Sequence, residues 1–598
     1  MIIGSVAVAL HVAVTVWRLH GSYFFDDDFL ELELARASNL VPSYLFRDLY
    51  GHVEPLSFLT QWLFVRLAGW NFFAAETTLV TESALAVAMI AAIAARSRTP
   101  PAIAAVCLIG AAVSWTTIEP DRCWSNGVQV IQATLLALVA LWICAKPSQR
   151  LSWLERAALG AMLVAACACY NKALFLILPC SAARLFVMRA IAGRPPIIEW
   201  QSIRNAFLDC SVAIAGIVLF AGLLLAVKLS EAGSVTPRVV LGPAVSGVAI
   251  ALQFGWLAGT AGLRVNADTA PVTLVLSGLL ADAIVFTVVR ASVSRQRSTI
   301  WLWLGLLGYV LAANVIISAE RTATFGAWMM GIGRYHTDEV FLSIAVIVMA
   351  FGSAPKRSPD IASAHSPNAC AGCATACIGV IVTLCQLVGG LNYPNPPWVN
   401  TQANRAFIES IERAATRLTP GQSVGDRQLP FRVLPFFWWQ RWNDLSRLAT
   451  VLPEKLPVSS WDRATHYLDD NGRFRAFADL PRRAFADTNG RKMALAMLPP
   501  IEFMGSLEKA PADRAEGWFN PLLAPREKVR IAIVVRGRVV AWAQHTERPD
   551  IGAYFNRGEM TSSGFEASLP RGVTHEEVDA LAVIDNRIGV ILPRKSGT

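Results

Sequence analysis

Three consecutive carboxylates, Asp26, Asp27 and Asp28, directly follow the first apolar stretch of the chain and precede an amphipathic one, in YFFDDDFLELELA. Carboxylates at a membrane surface, followed by many further hydrophobic segments, suggest chemistry done at the lipid boundary. The same long loop, residues 21–71, holds most of the other polar residues that look purposeful: Glu31, Glu33, Asn39, Tyr44, Arg47 and Asp48, then GHVEPLSFLTQWLFVRLAGW. His52 and Glu54 stand just before Pro55, a residue suited to the first turn of a helix. Leu56, Leu59, Leu63 and Leu67 recur at helical spacing, so this stretch is expected along the membrane interface, framing a pocket that opens sideways to lipid.

The elements that must position these residues are membrane helices. Of the 598 residues 54% are hydrophobic and only 16% charged, with a mean hydropathy of +0.44, which implies a polytopic membrane protein. Residues 1–392 carry nearly all the long apolar runs and are expected to form the transmembrane domain. Residues 393–509 are expected to form a mixed α/β region and 510–598 a small β-sandwich-like module. A bilayer core about 30 Å thick takes roughly 17 to 25 apolar residues per crossing. Windows that satisfy this are 2–20, 72–95, 101–118, 127–145, 157–171, 173–192, 207–228, 271–290, 299–318, 338–353 and 371–392, about eleven crossings. The first has no basic leader and no small-residue cleavage site, so it reads as a retained helix.

Basic residues in short loops set the orientation. Arg96 and Arg98, Lys146, Arg150 and Arg156, Arg184, Arg189, Arg194 and Arg204, Arg290, Arg295 and Arg297, and Lys356 with Arg357 fall on one side, taken as cytoplasmic. The other side then holds Asp26 to Asp28, Glu119, Asp121, Lys172, Glu320, Arg321, Arg334 and the C-terminal region, with the N-terminus cytoplasmic. Residues 239–262 would invert every later basic loop if they crossed, and are expected to form a re-entrant or interfacial hairpin. All 11 cysteines precede residue 386, so no disulfide framework is indicated. Cys370, Cys373 and Cys377 read as part of a small-residue helix start in preference to a metal site.

The order of these motifs resembles the GT-C glycosyltransferases, integral membrane enzymes that take a sugar from a polyprenyl-phosphate carrier. The likeness lies in an acidic pair after the first span, two juxtamembrane helices in a large external loop, and a charged residue before a Pro at the second. It extends to ACYNKALFLILP, with Lys172 and Pro179, and to GRYHTDEVFLSIAV, with Arg334, Tyr335 and Asp338. The pattern D-D-F followed by G-H-x-x-P-L resembles a bacterial group of GT-C-like proteins. The resemblance covers about the first 390 residues and implies an enzyme of the bacterial cytoplasmic membrane, with its C-terminal region extracytoplasmic.

By that resemblance Asp27 is the general base that takes the proton of an acceptor hydroxyl as it attacks the anomeric carbon, inverting the centre. Asp28 then orients it, binds the acceptor, or together with Asp27 holds a divalent metal (Mg or Mn) in members that need one. Asp26 supplies an extra carboxylate and leaves the assignment among the three open. The lipid phosphate leaving group needs cations, for which Lys172, Arg334 and Arg321 are candidates, with Tyr335 and Asp338 beside them. His52 and Glu54 are candidates for the donor sugar or phosphate. Glu119, Asp121 and Arg122 read as a surface ion-pair loop.

The C-terminal region shows no comparable set. NRAFIESIERAATRL reads as an amphipathic helix, and Phe436, Phe437, Trp438, Trp439 and Trp442 as aromatics that pack, anchor at the interface or stack on sugar. VRIAIVV, the Arg536-Gly537 turn, RVVAWAQ, DALAVID and RIGVILP read as strands. P-loop, dinucleotide and zinc-protease motifs are missing, and the net charge of +9 is better explained by topology and anionic lipid than by nucleic acid. The competing readings are a transporter or flippase for a lipid-linked glycan, against which few ionisable residues lie in mid-span, and a non-catalytic scaffold of the same fold.

Overall fold

The computed structural model describes residues 2–20, 22–24, 27–49, 52–192, 200–231, 241–264, 269–331, 335–352, 381–386, 388, 401–430, 444–452, 455–501, 504–508, 513–520, 523–524, 526–554, 558–573 and 575–594. Asp26, Arg334, the cysteines at 370, 373 and 377, the aromatic run 436–442 and most of the window 371–392 lie outside the described residues. The chain divides into two compact units. One comprises Met1–His20 and Ser38–Pro394, the other Gly21–Ala37 and Asn395–Thr598.

The first unit is helical and makes this a multi-pass membrane protein. Among the described residues, eight helical segments are long and apolar enough to cross: Ile2–Leu19, Phe72–Arg96, Trp124–Cys144, Asn171–Ile191, Trp200–Val227, Gly242–Thr260, Pro271–Arg295 and Arg297–Ala319. Seven of them fall in windows expected from sequence. Three other windows hold shorter helices, Pro101–Ala112, Trp153–Cys169 and Thr337–Ala350, of 12, 17 and 14 residues. The last is about 21 Å long at 1.5 Å per residue, and all but one of its residues are buried. That is the signature of an interior helix packed on every side, and its apolar composition alone had made it look like a crossing.

The segment expected as a hairpin is one helical path. It runs from Leu241–Ile250 through a π-helical stretch, Ala251–Leu257, into Ala258–Thr260. Its Gly and Pro content is absorbed without a reversal, Pro243 falling in the first turn, where no backbone N–H bond is lost. At this position the structure has a helix long and apolar enough to cross, where the alternation of sides counted none.

Helix ends follow local chemistry. Pro55, Pro101 and Pro271 each open a helix at its first positions. Asn71 caps Phe72–Arg96 by accepting from the Ala74 N–H at 3.1 Å, and Ser152 with Glu155 forms a capping box. The turn between Trp124–Cys144 and Trp153–Cys169 is pinned by the fully buried Arg184. Its guanidinium donates to the carbonyls of Cys144, Lys146 and Ser148 and to Asp209, and Asp209 also accepts from the Leu151 N–H.

The second unit is β-rich. Strands Arg538–Trp542, Arg482–Ala486, Lys492–Leu498, Ile588–Ile591, Val578–Ile584 and Val529–Val535 close, in that order, into a six-stranded barrel. A four-stranded sheet of Gln544–Thr546, Gly564–Ser568, Arg514–Phe519 and Gly505–Glu508 adjoins it in sequence, and residues 424–476 form a second small sheet. Ala532, Val534, Leu581 and Val583 share one cluster with Phe485 and Leu495. The alternate residues Ile531, Ile533, Ala580 and Ala582 pack in another with Leu507, Phe519 and Phe565. Burial on both faces explains the unbroken apolar runs VRIAIVV and DALAVID. It also replaces the expected sandwich of 510–598 by a barrel that recruits strands from 482–498. Arg536 and Gly537 both have positive φ, 51° and 78°, the mirror-image turn that a two-residue hairpin prefers.

Helix α1, Asp27–Ala37, belongs to this second unit. It packs against helix α2, Leu445–Val451: Arg36 donates to the carbonyls of Val451 and Leu452 at 2.6 and 3.0 Å, and Arg447 donates to Glu33 at 2.9 Å. Arg36→Ala leaves two carbonyls without their donor, at about 1–3 kcal/mol. Hydrogen exchange across residues 27–37 is expected to accelerate at least several-fold, with exchange in the barrel strand Val529–Val535 unchanged.

Candidate functional site

Around Lys172 the first unit gathers polar residues from four distant segments. Helix Trp153–Cys169 stops at Tyr170, whose extended backbone turns the chain into a 3-10 stretch, Asn171–Leu176. Lys172 is thereby carried inward, and its Nζ donates to Tyr335 O at 2.6 Å, Asp338 Oδ1 at 3.0 Å and Glu339 Oε1 at 2.5 Å. An ammonium has three donors, and all three are committed. Asp338 accepts a further bond from the Tyr309 hydroxyl. Glu339 accepts from Asn314 Nδ2 and pairs with His336 Nδ1, both at 2.7 Å, while His336 Nε2 faces the Met330 carbonyl at 2.6 Å.

The π-helical stretch walls this cluster. A Cβ on Gly255 would stand 2.0 Å from His336 Nε2, so only glycine allows the imidazole its place. The next residue, Trp256, donates from Nε1 to Ser343 at 2.8 Å. It also lines a partly open apolar pocket together with Ile103, Ile284, Val288, Trp303 and Ile347.

A second constellation, His52, Glu54 and Arg321, is tied to the first through Asn171. The Asn171 side-chain amide, oriented to satisfy both its ends, donates to Val53 O at 3.0 Å and accepts from Val53 N at 3.3 Å. Ser57 donates to Cys169 O at 2.9 Å, and a backbone bridge between Leu49 and His52 closes the turn before Glu54. Glu54 holds the cap position of helix Pro55–Leu67, yet its side chain makes no cap hydrogen bond. Its carboxylate is fully buried, and neither oxygen accepts a hydrogen bond among the described residues. His52 Nδ1 approaches Oε1 at 3.3 Å, at ion-pair distance without hydrogen-bond alignment. The other ring nitrogen of His52 contacts the Arg321 guanidinium. A buried carboxylate left without donors is costly, about 1–3 kcal/mol or more for a charged group. Hydroxyl or N–H groups are the donors that can satisfy it.

Sequence reasoning thus selected residues that the fold brings together: His52, Glu54, Lys172, Arg321, Tyr335 and Asp338. Lys172 is buried among carboxylates, so its role in the resting structure is to hold them. Glu339, His336, Tyr309 and Asn314 were missed. Glu339 and His336 lie inside the quoted motif GRYHTDEVF, and the i, i+3 spacing of His336 and Glu339 was a usable signal.

Asp27 and Asp28 occupy the first turn of α1 in the second unit, where carboxylates complement the helix dipole. Asp27 is half-buried and Asp28 fully buried. Adjacent helical positions point about 100° apart, so the two carboxylates do not present a common face. Among the described residues no three His, Cys, Asp or Glu side chains converge as metal ligands. This donor pair does not fit a divalent cation by itself, and no step is routed through one.

Asp121 is in the interior, in the short helix Ile118–Arg122, and not in a surface loop. Burial pushes its carboxyl up to about 7, against the opposing pull of bonds to Thr117 and Ser83 and the charge of Arg18. Arg18 in turn donates to the carbonyls of Val113 and Ser114, both at 3.1 Å. The Glu119 side chain lies outside the described residues.

Two outcomes follow from this packing. Gly255→Ala is expected to cost about 1–3 kcal/mol through overpacking against His336, seen as a lower thermal unfolding midpoint. Gly222→Ala, where an added Cβ meets nothing within 4 Å, is expected to leave it unchanged. For Asp121 the folded pKa lies above the ordinary carboxylate value, so between about pH 4 and 7 the unfolded chain sheds a proton that the folded one keeps. Stability is expected to fall as pH rises through that window, and Asp121→Asn to flatten the fall in midpoints measured from pH 4 to 8.

No protein-family model and no curated protein matches the chain. Two crystal structures of ArnT from Cupriavidus metallidurans are similar to it. The one bound to undecaprenyl phosphate has a TM-score of 0.39 at 13% identity, the match covering 76% of this chain and 89% of that one. The apo state has a TM-score of 0.41 at 14% identity, covering 76% of this chain and 85% of that one.

Proposed function

We propose that the protein is a GT-C-like membrane glycosyltransferase that moves one sugar from a polyprenyl-phosphate carrier to a glycan, lipid or protein acceptor. The observation that carries this reading is the buried, unsatisfied carboxylate of Glu54, flanked by His52 and Arg321 and tied by Asn171 to the Lys172 cluster. A sugar offers hydroxyl donors to Glu54, and a phosphate offers oxygens to Arg321, whose guanidinium can grip two at once. The apolar pocket beside Trp256 suits the carrier's hydrocarbon chain.

In this reading charge develops on the phosphate as the glycosidic bond breaks, and Arg321 stabilises it. His52 holds the guanidinium in place and links it to Glu54. Lys172 positions Asp338 and Tyr335. Asp27 takes the proton of the acceptor hydroxyl, a role that rests on the family resemblance, with Asp28 or Asp26 as the alternatives. Arg334 joins Arg321 at the phosphate on the same ground, and a divalent metal would need ligands besides Asp27 and Asp28. The enzyme is placed in the bacterial cytoplasmic membrane, with the acceptor on its outer side.

Mass spectrometry of envelope glycans and glycolipids, comparing cells with the wild-type chain, Asp27→Asn, Glu54→Gln, Arg321→Ala or no gene, tests this directly. Loss of one defined sugar in the deletion and in all three variants, at normal protein levels, is expected. Glycans intact in Glu54→Gln and Arg321→Ala but altered in the deletion would overturn the assignment and favour a scaffold or transporter.

A further inference from the structure

Helix Pro271–Arg295, α3, is the least covered of the crossing segments, with only 11% of its apolar window buried. It touches the rest of its unit along a narrow seam, Gly278, Ala281, Ile284 and Ser292. The flanks of that seam are partly buried, and the outer face is exposed and apolar: Val275, Leu276, Leu279 and Phe286 are each more than half exposed. In the middle of that outward surface stands a carboxylate, Asp282. At 1.5 Å per residue it lies about 16 Å from one end of the helix and about 20 Å from the other, near the centre of a hydrocarbon core.

Its partner is neutral. Gln253, projecting from the π-helical stretch, donates from Nε2 to Asp282 Oδ1 and to the Gly278 carbonyl, both at 3.1 Å. One amide orients the carboxyl group and fixes which way it points, and among the described residues no cation pairs with it. Ionisable groups at this depth normally face the protein interior or pair with an opposite charge, because hydrocarbon solvates them so poorly. An acid on the lipid-facing side of a crossing helix is therefore half of an interaction.

We propose that this face of α3 docks a transmembrane helix of another protein carrying a Lys or Arg at mid-depth, with Asp282 as its counter-charge and Gln253 as the orienting residue. Charge complementarity selects this occupant. A second copy of the chain would bring a second carboxylate to the same place, and an uncharged helix would leave the charge where it is. The apolar residues on either side of Asp282 supply the packing surface, and the cation supplies specificity. The site is separate from the residues assigned to sugar transfer and does not depend on that assignment.

The test uses the full chain reconstituted in zwitterionic liposomes with synthetic transmembrane peptides of about 23 Leu and Ala residues that carry photo-reactive leucines. One peptide has a single central Lys, one a central Leu, and one a central Glu. The Lys peptide is expected to cross-link to residues 272–286 at least about tenfold more than the other two, a difference of 1.4 kcal/mol or more. Asp282→Leu and Asp282→Asn are both expected to reduce it to the Leu-peptide level. Because position 282 faces lipid, Asp282→Leu is expected to keep or raise the thermal unfolding midpoint, which separates lost docking from lost folding. Equal cross-linking of the Lys and Leu peptides, or a preference that survives Asp282→Leu with the fold intact, would refute the proposal. Chain-to-chain cross-links that require Asp282 would replace the cationic helix by a second copy.

Discussion

The helical unit is organised around one ammonium group. Lys172 stands between Asp338 and Glu339, out of contact with water, and its three donors meet three oxygens. Desolvating such a set is expensive, and further hydrogen bonds to the two carboxylates offset part of that cost. Tyr309, Asn314 and His336 supply those bonds. The consequence is geometric: helix Ile300–Phe325, the 3-10 stretch after Tyr170 and the interior helix Thr337–Ala350 cannot slide without leaving a buried charge unpaired. Residues mounted on those elements inherit their fixed positions, Arg321 among them.

Glu54 and Glu339 make an instructive contrast. Both are fully buried carboxylates in one unit, but Glu339 accepts from Asn314 and pairs with His336 and Lys172, whereas among the described residues Glu54 accepts no hydrogen bond and has only His52 at ion-pair distance. Such a set of partners marks a group that holds the fold. A buried acceptor left open, next to a histidine and an arginine, marks one that is kept for something else at the cost of some stability. Asp121, raised by burial and partly satisfied, stands between those extremes.

Much of this could be read from residue order, and what could not has a physical reason. Pro55 told where its helix begins, and so placed His52 and Glu54 in a turn. The Arg536-Gly537 dipeptide announced a hairpin through its glycine, and Arg536 takes the second positive φ although asparagine, aspartate or glycine is the usual residue there. Lys172 and Asp338 were visible as charges in apolar surroundings, but their mutual contact, 166 positions apart, was not. Hydropathy alone could not tell an interior helix such as Thr337–Ala350 from a spanning one, because the two are equally apolar. The π-helical stretch escaped notice since one widened turn barely disturbs the periodicity. The barrel was missed because strands 482–486 and 492–498 join partners far along the chain, and two of those pairings are parallel.

The anchoring of α1 sets an order of events during synthesis. Its Arg36 side chain finds its carbonyl acceptors 415 and 416 positions later. A ribosome adds about 5–20 residues per second, so the helix that carries Asp27 and Asp28 waits for tens of seconds before its partner exists. The acidic helix is therefore among the first segments made and among the last to be fixed.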